Sequence, residues 1–258
     1  MTIMATAYKF HGAGNDFVVI DEFQENFNLT QQRIEELCNR HTGIGADGLI
    51  LIKKSTAAAF RMVYYNSDGL EAEMCGNGAR CAFAYAFSKK HCTEKSTFEA
   101  SDGIHHGRII SENPAEWMVK ISLTIHEHPV RMADGSFFVN TGVPHNVRIS
   151  EDIQSLDVKK HGSELRHNKQ LFPEGANINF VSLKNGELFI RTYERGVEDE
   201  TLACGTGITA SALVAHQYLG IPFPVLIHAA GGNLQVDETE GTIWLEGPAK
   251  HVFTATLP

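Results

Sequence analysis

Several absences narrow what this chain of 258 residues can be. No apolar run approaches the length of a membrane-spanning helix, and no basic stretch followed by an apolar core opens the sequence. The protein is therefore expected to be soluble and cytoplasmic. Basic residues are not in excess: the net charge is −9 and Lys and Arg are scattered, which speaks against a nucleic-acid surface and for a small charged ligand. No Cys-x-x-Cys pair occurs among the five cysteines, an odd number, so free thiols in a reducing compartment are expected. Metal-ligand spacing is lacking too, because His105-His106 and His126-Glu-His128 find no convincing third ligand and read as solvated strand residues. No cofactor site is recognisable. The loop Gly43-Ile-Gly-Ala-Asp-Gly48 meets the dinucleotide glycine spacing, but a helix precedes it and a strand follows, the reverse of the required order.

What is present is a segment written twice. Cys75-Gly-Asn-Gly runs into Ala79 to Phe87, and Cys204-Gly-Thr-Gly runs into Ile208 to Tyr218, each a small-residue, apolar, proline-free stretch that predicts a helix buried on most faces. The cysteines lie 129 positions apart in 258, so the chain reads as one half repeated, with a thiol at the same place in each copy. A helix N-terminus presents unpaired N–H groups and partial positive charge, which hold an anion and favour a thiolate. Cys38, Cys81 and Cys92 lack that context and read as small buried or incidental side chains.

Met1 to Ala5 reads as a disordered start. From Tyr8 to Asp21 the pattern gives two strands about a glycine turn whose polar corner is Asn15-Asp16. Thr30 caps a helix to about Arg40, followed by strands at Leu49 to Ile52 and Phe60 to Asn66 and by hairpins between Ser96 and Leu123. In the second half, strands are read at Ser136 to Val139 and after Pro144, with His145 at a loop edge. Ser150 or Asp152 caps a short helix to about Lys160, and Leu165 to Leu171 reads as loop. A hairpin turns at Asn185-Gly186, and final strands run from Val225 to Pro258. The fold class is α+β: two pseudo-symmetric lobes, each a mostly antiparallel sheet with one buried helix, with the boundary near residues 117 to 121.

Gly14-Asn-Asp-Phe17, Gly45-Ala-Asp47, Met74-Cys-Gly-Asn-Gly-Ala-Arg-Cys81, Pro144-His145, Ala176-Asn177, Tyr193-Glu-Arg-Gly196 and Ala203-Cys-Gly-Thr-Gly207 together resemble the diaminopimelate epimerase family nearly end to end. The resemblance implies lobes of 1–117 with 250–258 and of 118–249, each a sheet or barrel wrapped round its helix, with pseudo-two-fold symmetry and the substrate between them. It implies a cofactor-independent isomerase of lysine biosynthesis, a homodimer, that converts LL-diaminopimelate to the meso form. The partner is thus a small amino acid, with no nucleic acid and no membrane.

Inverting an α-carbon needs a base on one face and an acid on the other, and Cys75 and Cys204 are the candidates. N–H groups near Gly76, Asn77, Gly205 and Thr206 are suited to hold the α-carboxylate and the charge that develops on it. The resemblance adds His145 and Glu194 beside the thiols, Glu194 also near the substrate ammonium groups, and Asn15 at the reacting end. It assigns Asn66, Asn177 and Arg195 to the distal moiety. Many relatives carry Gln where this chain has Gly48 and Asn where it has Val143, and the run Gly196 to Thr201 is one residue longer, bringing Glu198 and Asp199 near the site. Two alternatives stay open: a racemase or epimerase of proline, hydroxyproline or histidine, and a thiol-redox or anion-binding protein. Asn77 stands where proline-type relatives carry His.

Overall fold

The computed structural model describes residues 6–257, and the stretch Met1 to Ala5 lies outside the described residues. The chain divides into two compact units, 1–122 with 247–258 and 123–246.

In the first unit the strands are β1 (Thr6–Gly12), β2 (Asn15–Asp21), β3 (Gly48–Lys53), β4 (Phe60–Asn66), β5 (Lys95–Ala100), β6 (Gly103–Asn113) and β7 (Glu116–Leu123). They pair in chain order, and the end of β16 (Thr242–Thr256) joins β7 to β1, closing an eight-stranded barrel. Inside runs α2 (Gly76–Ser88), buried along nearly its whole length and packed on β1, β2, β3, β4 and β6. Its small residues let the strands close in. A Cβ on Gly78 would stand 3.2 Å from Ile50 and Met62 and 3.5 Å from Phe17. Outside the barrel, α1 (Gln31–Cys38) is capped by Thr30 and buries Ile34, Leu37 and Cys38.

The second unit repeats the order. Its strands are β8 (Glu127–Arg131), β9 (Phe137–Asn140), β10 (Pro144–Ile149), β11 (Asn177–Lys184), β12 (Glu187–Glu194), β14 (Val225–Ala229), β15 (Gly232–Thr239) and the start of β16. A short β13 (Asp199–Thr201) pairs off β12. The central helix is α4 (Gly205–Leu219), and α3 (Val158–Arg166) lies against β11, β12 and β13. From β1 to β6 the pairings run antiparallel, parallel, antiparallel, parallel, antiparallel; from β9 to β15 they run the same. The outer helix enters after the second of these strands and the buried helix after the fourth in both units, so two topologically equivalent lobes each wrap a sheet round a helix.

Four local expectations are corrected. The helices begin at Gly76 and Gly205, so the glycines form the first turn instead of preceding it. The short helix of the second unit starts at Val158 and not near residue 151, because Asp157 accepts from the Lys160 N–H while Asp152 closes a turn on Gln154 and Ser155. That helix reaches Arg166, inside a stretch expected to be partly loop. His145 is within β10 and completely buried, not at a loop edge: Pro144 begins the strand, a position that costs no ladder hydrogen bond.

Candidate active site

Both helix starts have the same construction. Cys75 and Cys204 are the N-cap residues, in extended backbone conformation, and neither thiol makes a capping hydrogen bond to its own helix. The first bonds made back to the caps come from Ala79 and Ile208, to the Cys75 and Cys204 carbonyls. The N–H groups of Gly76 and Asn77, and of Gly205 and Thr206, precede that first bond and point out of the helix end. Each thiol sits where dipole and N–H groups favour negative charge.

In the first unit a chain of amides reaches the thiol. Arg80 Nη2 donates to Asn77 Oδ1 at 2.8 Å, and Asn77 Nδ2 donates to Asn15 Oδ1 at 3.3 Å. Asn15 Nδ2 donates to Asp47 Oδ2 at 2.7 Å, and Asp47 takes Arg40 at 2.6 Å. Charged groups at both ends fix the amide directions, since Arg80 can only donate and the Asp47 carboxylate can only accept. Asn15 Oδ1 is thereby turned to Cys75, whose Sγ donates to it at 3.7 Å. Beneath the chain, Asp16 binds Lys9 at 2.6 Å and Arg40 at 2.7 and 3.0 Å. Burial pushes the Asp16 carboxyl up, but the Arg40 and Lys9 contacts outweigh it and hold the carboxyl well below the usual range. Asn66 ends β4 opposite Gly48, with an exposed side chain. Gly48 is required by its neighbours, because a Cβ there would meet Tyr64 Cε2 and the Tyr65 carbonyl at 2.5 Å.

In the second unit hydroxyls, an amide and an imidazole lie about the thiol. Cys204 Sγ lies 3.5 Å from Thr206 Oγ1, and Thr141 Oγ1 donates to the Thr206 carbonyl at 2.9 Å. A Cβ on Gly207 would stand 2.3 Å from Asn179 Oδ1 and 3.3 Å from His145 Cε1, so only glycine lets α4 approach these residues. Asn179 Oδ1 accepts from Thr192 Oγ1 at 3.0 Å, and Asn179 Nδ2 lies 3.1 Å from His145 Nδ1. With Nδ1 accepting, the proton of the neutral ring is on Nε2, which is buried without a hydrogen-bond partner. Burial, together with the Arg195 charge, pushes His145 down to about 3 against the Asn179 contact, so the ring is neutral at neutral pH.

His145 pairs in register with Asn177, and Asn177 Oδ1 accepts from the Arg195 backbone N–H at 2.7 Å. The Arg195 guanidinium reaches the Glu174 carbonyl at 3.5 Å, and Glu194 ends β12, half-buried. Glu198 and Asp199 have structural partners. Glu198, at φ 57°, accepts from the Gly196 N–H and the Tyr193 hydroxyl and pairs with Arg166, and Asp199 pairs with Lys159 at 2.6 Å. These contacts hold the turn to α3. Val143 accepts from the Thr141 N–H through its carbonyl at 3.3 Å.

The expected residues therefore fall into two sets, Cys75, Gly76, Asn77, Asn15 and Asn66 in one unit and Cys204, Gly205, Thr206, His145, Asn177, Glu194 and Arg195 in the other. Sequence reasoning missed Asp47, Arg80, Thr141 and Asn179. Arg80 carried a signal, as the lone charge in the apolar run, and Asn179 shares a strand face with Asn177. The remaining thiols differ in environment: burial pushes Cys38 up to about 11 and Cys81 and Cys92 up to about 12.

The sequence model of the family described as diaminopimelate epimerase matches residues 7–121 and 137–252. A diaminopimelate epimerase of Chlorobaculum tepidum is 42% identical over 95% of this chain and 98% of its own length, and one of Flavobacterium psychrophilum 43% identical over 97% and 99%. Among solved structures, a hydroxyproline epimerase from Agrobacterium vitis superposes with a TM-score of 0.72 at 12% identity, covering 99% of this chain and 93% of that one. A PhzF-family phenazine biosynthesis protein of Bacillus anthracis superposes with a TM-score of 0.71 at 14% identity, covering all of both chains, so the fold is shared well beyond recognisable sequence. A repeated thiol-headed helix, an equivalent wrapping sheet in each unit and near-complete coverage by these relatives lead to one conclusion: the chain belongs to the diaminopimelate epimerase family.

Proposed function

We propose that the protein interconverts LL- and meso-diaminopimelate without a cofactor, as a cytoplasmic, homodimeric isomerase of lysine biosynthesis, with Cys75 and Cys204 as its two proton-transfer groups. The observation that carries this reading is the repetition of a thiol at the N-cap of a buried helix. One cysteine, as thiolate, removes the α-proton. The other, as thiol, returns a proton to the opposite face, and after turnover the two protonation states are exchanged. The electron pair left on the α-carbon delocalises into the carboxylate, where N–H groups of Gly76 and Asn77 and of Gly205 and Thr206 meet the growing charge.

Within this scheme His145 acts as a donor rather than a base, because its Nε2 carries the proton and its ring is neutral. Asn15 positions Cys75. Asn66, Asn177, Glu194 and Arg195 recognise the distal amino acid group, Arg195 by its fit to a carboxylate. Gly48 leaves the Tyr64 ring where a longer side chain would otherwise project.

The test is NMR of LL-diaminopimelate in deuterated buffer under reducing conditions. Deuterium at one α-carbon together with meso product, both lost in Cys75→Ala, is the expected result. No exchange by reduced, folded protein overturns the substrate, and a panel of proline, hydroxyproline and histidine then identifies the amino acid. Light scattering checks the dimer.

A further inference from the structure

Successive side chains of β4 alternate between the two sides of the sheet. Val63 and Tyr65 pack outward into the cluster that α1 covers, whereas Met62 points inward at Gly78 of α2. Tyr64 and Asn66 share the Met62 side and stand in register opposite Ile50 and Gly48 of β3. Ile50 and Phe17 close on Gly78 as well, and the Phe17 ring meets the Tyr64 ring edge-on, centroids 5.9 Å apart. Tyr64 is therefore an inward-facing side chain, rooted one layer deeper in the barrel than Asn66.

The strand registers put the end of β1, the start of β2, the start of β3 and the end of β4 at one end of the barrel, where Asn15, Gly48 and Asn66 lie. Cys75 is at that end too, its Sγ 3.7 Å from Asn15 Oδ1. Because Gly48 has no side chain, the space before it is open, and Tyr64 fills it. A Cβ on Gly48 would stand 2.5 Å from Tyr64 Cε2 and 3.0 Å from the Tyr64 hydroxyl. The far end of the ring, and not its base, is what lies at Gly48. The side chain thus climbs from the layer of Ile50 to the layer of Gly48 and delivers its hydroxyl to the end of the barrel that carries Asn66, Asn15 and Cys75. A phenol hydroxyl donates one hydrogen bond and also accepts, so a protein neighbour that holds it still leaves capacity for a ligand.

We infer that Tyr64 is a further substrate-recognition residue, whose hydroxyl, beside Asn66, hydrogen-bonds the polar group that the substrate carries away from its reacting carbon. A hydroxyl serves either half of a distal amino acid group, donating to a carboxylate or accepting from an ammonium. The inference deepens the epimerase reading proposed above and rests on it for diaminopimelate as the substrate. Gly48 then contributes by what it leaves out, since any side chain there would take the place of the hydroxyl.

The test compares steady-state kinetics of Tyr64→Phe with those of Tyr65→Phe, the adjacent tyrosine that faces α1. A hydrogen bond made to a charged group remote from the reacting carbon is present in ground state and transition state alike, so its loss raises KM and spares kcat. The expected result for Tyr64→Phe is a KM for LL-diaminopimelate about tenfold higher at a kcat within about twofold, with both constants unchanged in Tyr65→Phe. In Gly48→Ala the methyl must displace the ring end, so KM rises there as well, and adding Tyr64→Phe to it costs little more. A folded Tyr64→Phe, checked by thermal melting, with the KM of wild type overturns the inference, and so does a loss confined to kcat. Should Tyr64→Phe not fold, Gly48→Ala carries the decision, and an unchanged KM again overturns it. Failure of the epimerase reading is distinguishable, because wild type itself then gives no exchange on diaminopimelate. The same variants are in that case compared on whichever of histidine and hydroxyproline is exchanged, and exchange of proline alone, which has no second polar group, overturns both readings.

Discussion

The two units share a topology and differ in what surrounds the thiol. Around Cys75 the polar groups form a line with formal charge at each end, Arg80 inside and the Asp47–Arg40 pair outside. Around Cys204 they include hydroxyls, an amide and a neutral imidazole, with the Arg195 charge acting on that imidazole. Repetition of a half-chain supplies two equivalent helix ends, but a reaction that must give a proton on one side and take it on the other needs them unlike. The difference lies in side chains and not in backbone. Replacing either thiol breaks the comparison most severely: Cys75→Ala and Cys204→Ala should each lower epimerisation by about 10²–10⁴-fold, the scale of a lost general acid or base. Initial rates of meso product by chiral chromatography check this, and a variant that keeps more than a tenth of the wild-type rate excludes that cysteine.

Acid should then separate the units by the pH at which each weakens. His145 is buried and neutral, its folded pKa depressed to about 3 by burial. Below the ordinary histidine value of about 6.5 the unfolded chain takes up a proton that the native site refuses, so stability is lost at up to about 1.4 kcal/mol per pH unit as pH falls toward 3. Asp16 is depressed as well, but as a carboxyl its contribution is complete above about pH 4 and disappears only as pH drops below that. Urea midpoints from pH 7 to 4.5 should fall in wild type and fall less steeply in His145→Gln. Asp16→Asn should cost stability equally at pH 7 and 5, its deficit narrowing only near pH 3.

A smaller contrast concerns how closely each helix is pressed by its surroundings. Gly207→Ala puts a methyl 2.3 Å from Asn179 Oδ1, an atom committed to Thr192, and should cost about 1–3 kcal/mol as an overpacked core site. Gly78→Ala meets the flexible ends of Ile50 and Met62 at 3.2 Å and should cost about 1 kcal/mol or less, helped by the helix preference of alanine. Thermal denaturation decides between them, and equal losses would mean that the two helices are gripped alike.

Much of this was legible beforehand because it depends on local signals. Thr30 announced its helix through a hydroxyl that accepts the Arg33 N–H, Asn185-Gly186 announced its hairpin through positive φ at both residues, and the duplicated cysteine segments announced the repeat. Residues whose meaning is set by distant partners were hidden. Asp157, not Asp152, caps α3, since either carboxylate can accept a backbone N–H and only the tertiary position of the helix against β12 selects one. Asp47 lies in a glycine loop that resembles a nucleotide motif, yet its role comes from Asn15, 32 residues earlier. The parallel pairings β2–β3 and β10–β11 were unreadable for the same reason: alternation of apolar residues says which face is buried and not which neighbour lies alongside.

The finest test of the contrast is whether the charged line works as a line. Asp47 fixes the direction of Asn15 by accepting from Nδ2, and without a carboxylate there the Asn15 amide is free to turn over and present its NH₂ to Cys75. Asp47→Asn should therefore lower kcat by roughly tenfold with little change in KM, less than the hundredfold cost of a catalytic group moved by a full ångström. Arg40 is more than half exposed and pairs with Asp47 and Asp16, so Arg40→Ala should keep kcat within about twofold, as expected for a screened surface ion pair. Steady-state kinetics of the two variants side by side separates an orienting role from a merely structural one. If Arg40→Ala loses as much kcat as Asp47→Asn, the ion pair stiffens the loop and the amide direction does not matter; if neither loses activity, Asn15 is held by Asn77 alone, and the first unit's cradle is no more directional than the second's.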